Sequence, residues 1–271
     1  MPLPHVDATL REVTRALGRL FRILPGPRRP APNLAALSGR PSTSSTRCAP
    51  PPCHARHRTP QARPTRSERD DLDDLGAVGV GVTTTVLGRT LADPLFHPVY
   101  EELDRRGAVL CIHPSGEGAA SPLITEHDMT WMVGAPVEDT VAIMHMILAG
   151  IPARHPRMRI LASHLGGALP LLPRRLDDHL AFESPRTPEL PSVAVGRLWY
   201  DTVSHVHGPA PAAAAASFGA GRLVLGTDFP YEDDEVFVRS VDYVRESGLA
   251  REESTAILDT NAADLLGLSR P

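Results

Sequence analysis

Three polar side chains stand where apolar runs of the chain give out. "AVLCIHPSG" ends its run on His113, "MRILASHLGG" on His164 and "RLVLGTDFP" on Asp228. A fourth run, "LWYDTVSH", passes Asp201 and reaches His205. Imidazole nitrogens and carboxylate oxygens are donors suited to zinc or another divalent ion. The same groups move protons in acid–base catalysis. One histidine at such a place is more often a hydrogen-bonded structural residue, and one aspartate a turn cap. Two histidines and an aspartate, each followed by a Gly or Pro turn, favour a built site.

Such a site needs elements that bring distant positions together. The runs 77–82, 108–113, 158–164, 198–203 and 222–228 are nearly all apolar, as strands buried on both faces are. Between them lie "PVYEELDRRG", "PVEDTVAIMHMILAG", "ALPLLPRRLDDHLA" and "PAPAAAAASFGAG", which have helical length and composition. Further helices are expected around 234–246, 251–259 and 261–267. Strands alternating with helices indicate an α/β protein with a parallel sheet. In a parallel barrel the C-terminal strand ends converge on one face, where sites are built.

Composition narrows the class. The 271 residues include 42% hydrophobic ones, and no stretch approaches the roughly 20 apolar residues of a membrane span. A net charge of −4 gives no basic field for nucleic acid. Cys48, Cys53 and Cys111 form no disulfide framework, and the N-terminus lacks a signal pattern, so a reducing cytoplasm is expected. Ten of the 28 prolines fall with many arginines between Pro25 and Arg69, where little apolar surface exists to bury. That composition reads as disorder, or as a coding frame misread. On the other side, "HVDATLREVTRALGRL" spaces Val6, Leu10, Val13, Leu17 and Leu20 helically. The expected organisation is a remnant helix over 1–20, a Pro/Arg-rich insertion over 21–72 and an α/β domain over 73–271.

"HPSG" (113–116), "SHLGGALP" (163–170), "DTVSH" (201–205) and "GTDFP" (226–230) together resemble the amidohydrolase-related family. "WMVGAPVEDT" (131–140) and "ILDTNAADLLGL" (257–268) resemble its branch of aminocarboxymuconate-semialdehyde, γ-resorcylate and 6-methylsalicylate decarboxylases. The resemblance implies a metal-dependent (β/α)8 barrel of the TIM type. It also implies decarboxylation of a small aromatic or unsaturated carboxylic acid without an organic cofactor. The divalent ion would be zinc, with manganese as the alternative. On this resemblance His113 is a metal ligand. Asp228 binds the metal and handles a proton, and His164 acts catalytically on substrate or on water at the metal. Arg175, with Arg174 beside it as the fallback, would reach a neighbouring subunit's substrate carboxylate in a homodimer. Trp131 would line the substrate pocket.

The resemblance also shows a gap. The family's first strand carries a His-x-His pair, and no strand expected here does. "CHARH" offers His54 and His57 with two residues between them, and "SHVH" offers His205 and His207 after the seventh strand. The barrel is therefore expected to be incomplete, with strands four to eight present and one to three largely missing. Two other readings stay open: a lactonase-like hydrolase on the same fold, and a non-catalytic truncated remnant.

Overall fold

The computed structural model describes residues 77–268, apart from 119, 120 and 233. The expected N-terminal helix, the Pro/Arg-rich stretch, His54 and His57 lie outside the described residues. All five expected strands form. They are β1 (Gly79–Thr83), then, after a small antiparallel hairpin of β2 (Thr85–Val86) and β3 (Arg89–Thr90), β4 (Val109–His113), β5 (Arg159–Ala162), β6 (Trp199–Asp201) and β7 (Leu223–Val224). The five-stranded sheet runs β1-β4-β5-β6-β7, every pair parallel. Strands thus follow one another in chain order, each joined to the next by a helical crossover, as in a singly wound barrel. Among the described residues neither β1 nor β7 has a partner on its outer edge, so the barrel is not closed there.

The crossovers are helices for local reasons. Helix α1 (His97–Arg106) stops at Gly107, whose φ of 61° is a left-handed cap that glycine adopts without a Cβ penalty. Helix α2 (Ala135–Leu148) follows a π-turn at Thr130–Gly134 and carries an apolar body, Ala142, Ile143, Met146 and Ile147, all buried. Helix α3 (Pro173–Glu183) and helix α4 (Pro209–Phe218) each begin with the proline that suits a first helical position. The sheet's two faces follow the period-two alternation of strands. Leu110, Ile112, Ile160, Ala162, Tyr200 and Leu223 enter the main core, where Tyr200 stacks on Phe218 at 4.1 Å. Val109, Trp199 and Val224 share a second cluster with Leu265 on the opposite face. Farther along that alternation come Cys111 and His113 on β4 and Asp201 on β6. Polarity therefore rises towards the C-terminal strand ends.

Two differences from the sequence expectation bear on the site. Strand β7 was expected to reach Asp228, but its ladder ends at Val224. Beyond it Leu225 donates its N–H to Ile257 O, and Gly226 to Thr202 Oγ1. The run stays apolar because the neighbouring helix end and β6 cover it, so apolarity outlasts strand pairing. The second difference lies after β5, where four residues in a row take positive φ: His164 (52°), Leu165 (55°), Gly166 (71°) and Gly167 (66°). Glycine meets this at no steric cost, whereas His164 and Leu165 are strained. The turn lets the chain press against the start of α2. A Cβ on Gly167 would come within 2.0 Å of Pro136 O and 2.5 Å of Thr140 Oγ1.

Gly167→Ala should therefore cost about 1–3 kcal/mol, or roughly 2–4 °C of Tm per kcal/mol. Gly208→Ala, where an added Cβ meets nothing within 4 Å, serves as the control. Thermal melts of both variants test this, and equal melting temperatures would rule out the close approach.

Candidate metal centre

His113 ends β4, and its ring is fixed from behind. Nδ1–H donates to Pro114 O at 2.9 Å, which turns Nε2 towards Asp228 Oδ1 at 3.4 Å. His164 is held the same way by a different group. Its Nδ1–H donates to Asp139 Oδ2 at 2.8 Å, and Nε2 faces Asp228 Oδ2 at 3.6 Å. The two rings meet edge to face, 5.2 Å between centroids. Asp228 itself adopts a φ of 56°, another left-handed non-glycine position at the site. One ligand atom from each of His113, His164 and Asp228 lies within 4.8 Å of the other two.

Helix α2 aligns the strand ends. Glu138, buried on its first turn, accepts from Ser115 N and Oγ and from Gly116 N at 2.9–3.0 Å, and from the Thr84 hydroxyl. That bundle fixes the loop after His113. Thr140 Oγ1 donates to Pro136 O and accepts from Ala168 N at 2.8 Å, which fixes the turn after His164. Asp201 Oδ1, inside the sheet, accepts from His164 N at 2.9 Å and Val203 N at 3.0 Å. These bonds offset the strain at His164.

The electrostatics follow from this crowding. Burial pulls the His164 imidazole towards neutrality, but its bonds to Asp139 and Asp228 prevail and hold its pKa up at about 10. The hydrogen bond to Asp228 likewise raises His113, against burial. Burial would raise Asp228, yet the two imidazoles hold its carboxyl well below the usual carboxylate range. Burial pushes Asp139 up to about 6, opposed by its bond to His164. Asp201 is raised by burial. Burial first, then Asp201, pushes the Cys111 thiol to about 12, so it is a neutral packing group and no thiolate nucleophile.

The donor set fits a divalent cation. With both Nδ1–H groups committed, each neutral ring presents an Nε2 lone pair to the Asp228 carboxylate. Three electron-rich atoms at this spacing require positive charge between them, from protons or from a metal ion. Metal binding here would release the protons.

Of the residues singled out from sequence, His113, His164 and Asp228 come together. Trp131 is 56% exposed and packs over Gly116, three residues past His113, its ring 6.1 Å from that of Tyr231. Arg175 lies exposed on α3, while Arg174 pairs with Asp178 at 3.0 Å. His205 is turned outward and pairs with Glu232 at 2.6 Å, away from the centre; His207 is exposed. Sequence reasoning missed the roles of Glu138, Asp139, Thr140 and Tyr231. The first three carried a signal: three successive polar residues near the start of a mostly apolar helix.

In metal-stripped protein the stabilising window follows from the two shifts. Asp228, depressed, contributes above its unfolded value near pH 4 and loses the contribution as pH falls further. His164, raised, contributes fully below about 6.5 and loses it as pH climbs towards 10. The Tm difference between wild type and Asp228→Asn should be largest at about pH 4–6.5 and shrink towards pH 10. A difference that grows with alkalinity would contradict this pairing.

Comparisons with known proteins agree with this geometry. The chain is 29% identical over 203 residues to the 2-amino-3-carboxymuconate-6-semialdehyde decarboxylase of Dictyostelium discoideum, covering 72% of this chain and 55% of that protein. It is 32% identical over 181 residues to the 6-methylsalicylic acid decarboxylase of Penicillium expansum, covering 64% and 54%. The chain thus spans about half the length of these curated relatives. Among solved structures, 5-carboxyvanillate decarboxylase from Novosphingobium aromaticivorans, with bound manganese, superimposes with a TM-score of 0.66 at 21% identity. That match covers 74% of this chain and 60% of the other. A family model described as amidohydrolase matches residues 55–268, beginning inside the stretch that composition had set apart. With the strand-end histidines, the aspartate and the parallel sheet all in place, the chain belongs to the amidohydrolase family.

Proposed function

We propose that this chain is a metal-dependent decarboxylase of a small aromatic or unsaturated carboxylic acid. The observation that carries the reading is the convergence of His113, His164 and Asp228 at one end of a parallel sheet. Relatives named as aminocarboxymuconate-semialdehyde, 6-methylsalicylate and γ-resorcylate decarboxylases support the substrate class. His113 and Asp228 would hold zinc or manganese. When bound, the ion supplies a Lewis acid and a template for the substrate's oxygens.

The chain's own residues do the rest. His113 Nε2 is directed by its bond to Pro114 O, so the ligand atom is oriented before any ion arrives. His164 Nε2 stands on the same side as Asp228, and one of these two groups donates the proton. The bond between the carboxylate carbon and its neighbour breaks. Its electron pair takes the proton, and carbon dioxide leaves. Apolar residues of the strands beneath, Val109, Trp199 and Val224, keep water from the lower side of the centre. Trp131 and Tyr231 offer flat apolar surface to a planar substrate.

Arg175 is read as contacting a carboxylate in a neighbouring subunit of a homodimer. It has no ion pair or hydrogen bond among the described residues. It lies four positions after Leu171, in the turn before α3, and seven before Phe182, at the end of α3, and both of these are more than three-quarters exposed. Large exposed apolar side chains on the same segment as an exposed cation are what a subunit contact would cover.

Metal analysis of the purified full-length chain, with carbon dioxide release from hydroxybenzoates, tests the function. Stoichiometric zinc or manganese with turnover supports it. Metal with ester or lactone cleavage instead would assign the hydrolase reading, and neither metal nor turnover the non-catalytic one. Asp228→Asn should lower kcat by on the order of 10² to 10⁴. Arg175→Ala should raise KM about 10- to 100-fold, the loss expected for a hydrogen bond to a charged group, and weaken self-association in sedimentation. An unchanged KM would remove Arg175 from the site.

A further inference from the structure

Helix α2 buries two consecutive carboxylates, Glu138 at 2% exposure and Asp139 at 1%, and they are used in opposite ways. Glu138 accepts hydrogen bonds from Thr84, Ser115 and Gly116, and so behaves as a structural anchor. Asp139 has one polar contact, His164 Nδ1 at 2.8 Å through Oδ2. Its other oxygen, Oδ1, is fully buried with no hydrogen-bond partner among the described residues. A carboxylate taken out of water normally collects several donors, because each unsatisfied oxygen costs free energy. Retaining one here with a single partner ties the cost to that partner.

The geometry points to Asp139 as a positioning residue: its carboxylate fixes the His164 ring with Nδ1–H turned into the protein and Nε2 turned to Asp228. The backbone of His164 is strained and held separately by Asp201, which touches its N–H and leaves the ring free to rotate. Without Asp139 only the longer, 3.6 Å approach of Nε2 to Asp228 Oδ2 favours one flip over the other. A ring nitrogen's role is set by the hydrogen bond its partner nitrogen makes. The importance of this for turnover rests on the decarboxylase reading, but the orientation itself does not.

The test uses the full chain as wild type, Asp139→Asn and Asp139→Ala, first without metal. Proton NMR should show a low-field imidazole N–H resonance protected from exchange, identified by its absence in His164→Gln. Asp139→Asn, the isosteric change that preserves packing, should move it upfield, and Asp139→Ala should lose it to exchange with water. With metal loaded, Asp139→Asn should lower kcat about 10- to 100-fold with little change in KM. A resonance unchanged in both variants overturns the assignment, whatever the rates do. So does a kcat loss that matches only the fraction unfolded in melts. Where wild type shows no decarboxylation but the resonance depends on Asp139, the positioning role stands and the functional reading falls. Where turnover is present and the resonance is indifferent to Asp139, the reverse holds.

Discussion

Two imidazole nitrogens and a carboxylate, mutually within 4.8 Å, are tolerated only if positive charge lies among them. That requirement organises much of what surrounds them. The outward nitrogens are committed elsewhere, one to a backbone carbonyl and one to a buried carboxylate, so the inward nitrogens have no alternative orientation. A carboxylate with protonated imidazoles on either side is held ionised, and the imidazoles are held charged in return. The same atoms suit a divalent ion, which would take over the role of the protons. The chemistry and the local stability therefore depend on one electrostatic condition.

Meeting that condition requires alignment between strand ends that are far apart in sequence. The N-terminal part of α2 supplies it through three adjacent residues. Successive helix positions point about 100° apart, so Glu138, Asp139 and Thr140 reach different targets: the loop after β4, the His164 ring and the turn after β5. The approach is close enough that Gly167 has no room for a Cβ. Strain at His164, Leu165 and Asp228 is the local consequence. Asp201, which accepts from the His164 N–H, and Thr140, which accepts from the Ala168 N–H, hold the turn after β5, as expected where a site is set by its surroundings rather than by local preference.

Around this centre the sheet is divided along its length. Valine, tryptophan and leucine fill the lower part of the site-bearing face, and cysteine, aspartate and histidine follow towards the C-terminal ends. The gradient keeps solvent from below and leaves the upper side open. Trp131 and Tyr231 stand on that side, one from the π-turn before α2 and one from the turn after β7. The family's fold tolerates changes in these loops because the strands beneath set the ligand geometry.

Sequence by itself determined the five apolar runs, the helices between them and the conclusion that His113, His164 and Asp228 stand at their ends. Burial on both faces writes each strand as a continuous apolar run, and a polar residue ending such a run is visible without coordinates. It did not reveal where β7 stops pairing, because Leu225 stays apolar under a helix end after its strand partner is gone. Nor did it assign Glu138, Asp139 or Thr140, although their polarity interrupts an apolar helix. Their partners lie more than twenty residues away, on other elements, and hydrogen bonds of that reach leave no periodic trace in the chain. Tertiary structure alone decided which nitrogen of each histidine faces inward, since that choice belongs to whatever group happens to stand behind the ring.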